Sequence, residues 1–225
     1  MENKECVIMF VKSAERGMVK SRLAVSVGED VALDLYKCFV SDLMKMLVQG
    51  RYPFEIFFYP PDARQEVAQW LGDEHALTPQ KGNDLGERIK NAFELVFSQG
   101  FRNALLIGSD IPDLPNLLID EALEALKDYD AVVGPSHDGG YYLIAFRQDT
   151  FLAQVFSGIT WGTSEVFEQT MEILRKANLT VHTLPVWGDI DTIDDLKALF
   201  QDSRNKPFVE SATIKYIENN GCDFL

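Results

Sequence analysis

Apolar residues in this chain fall into short, nearly unbroken runs separated by segments with helical spacing. "CVIMFV" (6–11), "FEIFFY" (54–59), "ALLIGSD" (104–110), "DAVVGP" (130–135) and "GYYLIAF" (140–146) all have strand length. Runs without polar alternation suit strands buried on both faces, as in a parallel sheet. Between them, residues 29–48 place Val31, Leu35, Cys38, Phe39 and Met46 at mostly three-and-four spacing, which predicts a helix. Further helices are predicted over 63–71, over 84–100 with Gly100 as its stop, and over 115–127 with Pro115 in its first turn. Two more are predicted over 162–178 and over 191–201, the latter capped by Asp191 or Thr192. Residues 12–22 and 73–83 read as loops, and 179–190 as one or two short strands. The C-terminal stretch 203–225 reads as an extension whose terminal helix packs on the body. Strands alternating with helices predict an α/β fold, three-layered as α/β/α around a mainly parallel sheet. No repeat, linker or composition shift divides residues 1–225, which read as one domain.

Composition narrows the function. Hydrophobic residues make up 46% of the 225, and 35 acidic against 21 basic residues give a net charge of −14. That balance argues against nucleic acid or an anionic membrane as partner, but leaves room for a local basic pocket. Cys6, Cys38 and Cys222 are scattered, and His75, His137 and His182 do not join them in a zinc pattern. Reduced thiols and a cytoplasmic setting are the expectation. The N-terminal apolar run is too short for a signal sequence, and nothing approaches the ~18 apolar residues of a membrane span.

In open α/β sheets ligands bind beyond the carboxyl ends of the strands, so the loops there carry the candidate chemistry. "KSAERGMVKSRL" gathers Lys12, Arg16, Lys20 and Arg22, which is 4 of the 21 basic residues, within eleven positions. Such a cluster could hold a di- or triphosphate, with Gly17 admitting close backbone approach; the plain alternative is a solvated basic loop. It is no Walker loop, because GxxxxGK[ST] is absent, and no GxGxxG follows a strand. "GSDIPDL" puts Asp110 directly off a buried strand, with Asp113 as a possible helix cap. "WGDIDT" adds Asp189 and Asp191, which share a face if extended. Carboxylates from separate strand ends suit Mg²⁺ or Mn²⁺, which take hard oxygen ligands together with substrate phosphates. Asp194 and Asp195 lie in the next helix and read as first-turn charge bias.

"SHDGG" (136–140) reads two ways that are compatible: a tight turn between strands, or backbone bared to a ligand by Gly139 and Gly140. Trp161 could stack on a base or sugar ring, or pack its helix. Tyr141 and Tyr142 alternate, so at most one faces a pocket. His137 reads as an exposed loop residue or as a base near an acceptor.

The ordered set "VKSRL", "QKGNDLGERI", "GSDIPDL", "GPSHDGGYYLI", "GITWGTSEVFEQT" and "DIDTIDDL" resembles a bacterial family of predicted glycosyltransferases, radical-SAM/selenodomain-associated transferase 1, or DUF2064. The likeness covers about residues 5–200. More distantly the chain resembles molybdenum-cofactor nucleotidyltransferases and 2-phospholactate guanylyltransferase, all on the nucleotide-diphospho-sugar transferase (GT-A) fold. The resemblance implies that Lys20 and Arg22 face nucleotide phosphates and that Asp110, Asp189 and Asp191 hold a divalent cation. It also implies that Asp138, Gly139 and Gly140 line the acceptor or sugar side, and it marks Asp84 and Arg88 within "DLGER". Relatives usually carry proline where this chain has Ser13.

The resulting expectation is a metal-dependent transferase with Mg²⁺ or Mn²⁺ and a nucleotide-sugar donor. Lys20, Arg22 and Asp138 are the candidate catalytic residues; Gly17, Asp84, Arg88, Gly139, Gly140 and Trp161 are the candidate substrate contacts. The alternatives are a nucleotidyltransferase that uses a nucleoside triphosphate and releases pyrophosphate, and a non-catalytic nucleotide-binding or interaction protein. The acceptor is unknown.

Overall fold

Seven strands form one sheet in the computed structural model, which describes residues 5–203 and 207–220. They are β1 (Glu5–Lys12), β2 (Phe54–Tyr59), β3 (Ala76–Pro79), β4 (Asn103–Ile107), β5 (Ala131–Pro135), β6 (Tyr141–Arg147) and β7 (Val181–Thr183), in the order β3-β2-β1-β4-β6-β5-β7. Every neighbouring pair is parallel except those made by β6, which runs antiparallel to β4 and β5. The chain builds outward from β1 through β2 to β3, then returns to lay β4 on the other side of β1. The loops leaving β1 and β4 therefore diverge, and a crevice opens between them. Because β6 is reversed, it begins at the edge where its parallel neighbours end, which brings the β5–β6 hairpin to the same crevice.

Period-two alternation explains why both faces are filled. Val7, Met9 and Val11 of β1 join one apolar layer, and Cys6, Ile8 and Phe10 join the other. The first layer is covered by α2 (Glu29–Gly50), α3 (Arg64–Leu71) and α5 (Asn116–Ala125), the second by α4 (Leu85–Ser98) and α6 (Val166–Lys176). A third cluster lies outside the sheet. There Leu35 and Phe39 of α2 meet Leu196 and Leu199 of α7 (Ile193–Ser203) and Ile214 and Ile217 of α8 (Ala212–Asn219).

Two expected loops contain regular structure. Residues 73–83 hold β3, a four-residue edge strand that ends at Pro79 and is too short to show periodicity. The β1 loop runs into a short helix, α1 (Ser21–Val27), where only Leu23 is buried and no apolar stripe marks the element. Thr192 and Asp195 cap α7 reciprocally: the Asp195 carboxylate accepts from the Thr192 N–H at 2.7 Å, and Thr192 Oγ1 accepts from the Asp195 N–H at 3.3 Å. Asp195 is thus a specific capping partner and more than a charge bias. No helix among the described residues is long and apolar enough to cross a membrane. Cys222 lies outside the described residues.

The expected terminal helix packs on the body, latched by a buried carboxylate. Asp42, in the middle of α2 and 6% exposed, accepts from the Ala212 N–H (2.7 Å), the Thr213 N–H (2.9 Å) and Thr213 Oγ1 (2.7 Å). It thereby satisfies first-turn donors of α8 from 170 residues away in sequence. Asp42→Ala should lower the unfolding free energy by about 2–3 kcal/mol, because charge-assisted bonds are lost and buried donors are stranded. Urea denaturation measures this, and faster proteolysis near residues 207–220 should accompany it.

Candidate functional site

The crevice is held open at defined width by side chains from its two walls. Tyr36, fully buried on α2, accepts from the Lys12 N–H (2.8 Å) and places the same hydroxyl 3.1 Å from Ser109 Oγ. The end of β1 and the loop after β4 are thus tied through one phenol, whose ionisation is pushed up first by burial and then by the charge of Asp110. On the far side the Ile190 N–H donates to the Asp110 carbonyl (2.8 Å), which draws the "GDIDT" segment against "GSD". Ser13 has a role that proline could not fill: its N–H donates to the Tyr59 carbonyl (2.7 Å) and extends the β1–β2 ladder beyond the strands.

At the centre stands Lys20. Its backbone is left-handed (φ 50°), it precedes the first turn of α1, and its side chain is only 3% exposed. The ammonium lies 2.7 Å from Asp110 Oδ1 and 3.0 Å from Asp191 Oδ1, while Arg22 Nη1 reaches Asp191 Oδ2 at 3.4 Å from a largely exposed position. Burial alone would favour neutral Lys20, but the charges of Asp110 and Asp191 outweigh it and hold the ammonium above its usual range. Asp189 behaves in the opposite way. Burial, then the charges of Asp138 and Asp191, push its carboxyl up to about 6. Asp110 and Asp191, from different strand ends, therefore meet at Lys20, while Asp189 lies near enough to Asp138 and Asp191 to feel their charge.

Two cavities meet there. A polar one of about 200 Å³ is lined by Lys12, Lys20, Arg22, Tyr36, Asp110 and Asp191. A larger one of about 370 Å³ runs from Tyr59, Gln80 and Arg88 past Asp110 to Asp138, Tyr141, Trp161 and Asp189. Lys12 and Asp110 border both. The two late aspartates are thus divided, Asp191 facing the polar cavity and Asp189 the larger one. Tyr141 and Tyr142 both border the larger cavity despite lying in opposite apolar layers. The expectation of one tyrosine at most fails because the cleft sits at the end of β6 and takes in both faces.

"SHDGG" proves to be a turn with a carboxylate in its mouth. Asp138 accepts from the Gly140 N–H (2.8 Å) and from Ser136 Oγ, and Ser136 N–H donates to the Gly140 carbonyl (3.0 Å). Gly139 needs to be glycine: φ is 87°, and a Cβ would collide with the Ser164 carbonyl. Its carbonyl accepts from the Phe167 N–H (2.9 Å), which fastens the segment carrying Trp161. A Cβ on Gly140 would meet Asp138 and Ser136 of its own turn. Trp161 packs edge-on to Tyr141 (centroids 6.3 Å apart) and against Gly86, while still bordering the cavity.

"DLGER" also resolves into separate tasks. Asp84 caps α4 by accepting from the Glu87 N–H (2.8 Å), and Glu87 in turn accepts from the Asn83 N–H (2.8 Å). Gly86 gives Trp161 room, and Arg88 lies over the Tyr59 ring at 4.3 Å on the cavity rim. Asp84, expected at the substrate, thus acts on α4 and does not line either cavity. Gly17 (φ 77°) lies beside Glu29, also away from both cavities. Arg16 is drawn off to Asp30 (2.7 Å) and Glu29 (3.5 Å), so the basic cluster contributes Lys12, Lys20 and Arg22. Asp113 accepts from Trp187 Nε1 (3.1 Å), and the residue at the N-cap of α5 is Pro115. Sequence reading missed Tyr36, Ser136 and buried Gln80 as site residues; none has a spacing that sets it apart.

The donor set suits a hard divalent cation. Asp110 and Asp191 supply carboxylate oxygens at one point, and the Asp189 carboxyl, raised first by burial and then by the charges of Asp138 and Asp191, lies near Asp191. Among the described residues no group of three or more His, Cys, Asp or Glu side chains is arranged to hold a metal by itself. The fit is to one or two carboxylates completed by substrate phosphates.

The family model described as "Uncharacterized protein conserved in bacteria (DUF2064)" matches residues 43–163, which include Asp110 and Asp138 but not Lys20, Arg22, Asp189 or Asp191. The crystal structure of a "putative nucleotide-diphospho-sugar transferase" from Desulfovibrio desulfuricans G20 superimposes with a TM-score of 0.94 at 43% identity, covering 97% of this chain and 95% of that one. A 2-phospho-L-lactate guanylyltransferase from Methanocaldococcus jannaschii is 26% identical over 141 residues, 60% of this chain and 59% of that protein. The chain spans between 51% and 59% of the length of three such guanylyltransferases. CMP:2-keto-3-deoxy-manno-octonic acid synthetase, complexed with CTP, shares the fold at a TM-score of 0.55 and 11% identity, with 88% of this chain and 99% of that one covered.

The raised carboxyl of Asp189 has a measurable sign. A group that binds its proton more tightly in the folded state contributes stability that is lost as pH rises, here from about 4 to about 6. Asp189→Asn should therefore melt higher than the parent protein at pH 7.5, and the difference should vanish below about pH 4. Melting curves across that range check it.

Proposed function

Since the chain belongs to the DUF2064 family, we propose that it is a nucleotidyltransferase that takes a nucleoside triphosphate as donor and releases pyrophosphate. The observation that carries this reading is the buried Lys20 ammonium held between Asp110 and Asp191 where the two cavities meet. The guanylyltransferase relatives support a triphosphate donor over a nucleotide sugar. In this reading an acceptor oxygen attacks the α-phosphorus, the bond from that phosphorus to the oxygen bridging to the β-phosphorus breaks, and pyrophosphate departs with the electron pair. The acceptor's proton passes to a cleft carboxylate or to water.

Lys12, Lys20 and Arg22 face the departing pyrophosphate and offset the charge growing on it. Asp110 and Asp191 are the side chains that would hold Mg²⁺ or Mn²⁺, with Asp189 near Asp191; when bound, such an ion would draw charge from the phosphoryl oxygens. In this reading Asp138, whose carboxylate accepts from Ser136 and Gly140, binds the acceptor and aligns its attacking oxygen. Trp161 and Tyr141 form an aromatic wall that shields this end of the larger cavity from water.

A nucleotide-sugar donor is the second reading, favoured by the Desulfovibrio desulfuricans structure at 43% identity. The same cations would then stabilise a nucleoside diphosphate leaving a sugar carbon. Product analysis separates the readings. Incubation with triphosphates, nucleotide sugars and candidate acceptors should release pyrophosphate; release of nucleoside diphosphate instead would establish the sugar donor, and binding with no release a sensor. Lys20→Ala should lower the rate by about 10²-fold or more, as expected for a removed charge stabiliser. Asp110→Asn should sharply weaken Mn²⁺-dependent nucleotide binding in calorimetry.

A further inference from the structure

The position where the sequence leads one to expect a divalent cation is filled by a side chain of the protein itself. Lys20 Nζ lies within 3.0 Å of one oxygen of Asp110 and one of Asp191. Its side chain is 3% exposed, whereas the side chains of Asp110 and Asp191 are 46% and 35% exposed. The carboxylates are well exposed, whereas the lysine side chain that bridges them is nearly buried and borders only the polar cavity. The placement is built in: the Lys20 carbonyl accepts from the Ala24 N–H (2.8 Å), the backbone is held at φ 50°, and the ammonium sits 5.8 Å from the centre of the buried Phe39 ring. A left-handed conformation costs a non-glycine residue energy and persists only where surrounding structure enforces it.

A divalent cation held by the same two carboxylates would lie within about a few ångströms of the ammonium. Repulsion between +2 and +1 charges at that separation is many times thermal energy, even at an effective dielectric constant of about 20. The two cations therefore compete for Asp110 Oδ1 and Asp191 Oδ1. Lys20 has another partner to turn to, because the adjoining polar cavity of about 200 Å³ is also bordered by Lys12 and Arg22, and Arg22 is 71% exposed. An incoming triphosphate brings negative charge that can compete with Asp110 and Asp191 for these cations.

We propose that Lys20 is a built-in stand-in for the metal in the nucleotide-free protein, so that a divalent cation enters only as a metal–triphosphate complex whose phosphates draw the ammonium off Asp110 and Asp191. This rests on the reading of the site as one for metal and nucleotide. It makes Lys20 a gate on binding order: bare metal is refused, and the carboxylates are released only when a phosphate chain has arrived to occupy Lys20.

The deciding measurement uses Mn²⁺ alone, titrated into nucleotide-free protein and followed by loss of the free-ion EPR signal. Lys20→Met should bind Mn²⁺ at least about tenfold more tightly than the parent protein, because a like charge has been removed from the site. Lys20→Arg, which keeps the charge, should bind it as weakly as the parent. Equal Mn²⁺ affinity in the parent and in Lys20→Met, including no binding by either, overturns the proposal. If Lys20→Met does not fold, Mn²⁺ alone should restore a cooperative melting transition, and failure to do so overturns the proposal equally. No nucleotide is present in any arm, so the result is independent of pyrophosphate release, which tests the reaction itself.

Discussion

The contact on which the site depends is a buried ammonium shared by two carboxylates, Lys20 with Asp110 and Asp191. It joins three segments distant in sequence: the left-handed residue ahead of α1, the loop that leaves β4, and the segment that precedes α7. A buried lysine with no partner would be costly, and two aspartates this close with no cation between them would repel. Each charge makes the other two tolerable. The same arrangement concentrates anionic and cationic groups at the one place where the sheet opens, which is what handling a phosphate chain requires.

Topology makes that concentration happen. The chain winds outward from β1 to β3 and then crosses back to β4, so the loops after β1 and β4 part company above neighbouring strands. Tyr36 fixes the gap from beneath, with one hydroxyl bonded to Lys12 and near Ser109. The reversed β6 delivers the Asp138 turn to the same edge, where in an all-parallel sheet a crossover would have carried the chain away. Glycines at 86 and 139 then allow α4 and the start of α6 to close on the turn, and Trp161 is held between them as a wall of the larger cavity. The cleft is thereby divided into an aromatic, partly apolar chamber on one side of Asp110 and a compact polar one on the other.

Several residues that look chemical turn out to be architectural, and the reason is the same in each case. Asp84, Asp113 and Asp195 are carboxylates near strand ends or helix starts, and backbone or indole N–H donors there compete for them as a ligand would. Arg16 belongs to the basic cluster by sequence but to the acidic start of α2 by contact. Asp42, which no site pattern marks, proves to be a buried latch for the last described helix.

By itself the sequence determined the layers. Unbroken apolar runs of strand length such as "CVIMFV" suit strands covered on both faces, and the amphipathic segments between them supply the cover; the α/β/α architecture and its strand-end loops follow from that alternation. It also determined which acidic and basic residues were candidates, since Lys20, Arg22, Asp110, Asp138, Asp189 and Asp191 all follow or precede apolar runs. Only the tertiary structure decided which of them meet. The reversal of β6, the short edge strand β3, the helix α1 and the separation of Asp189 from Asp191 all hinge on pairings across tens to hundreds of residues. Local propensity carries no record of such pairings, because the free energy that selects them comes from burial and charge balance between segments, not from within any one of them.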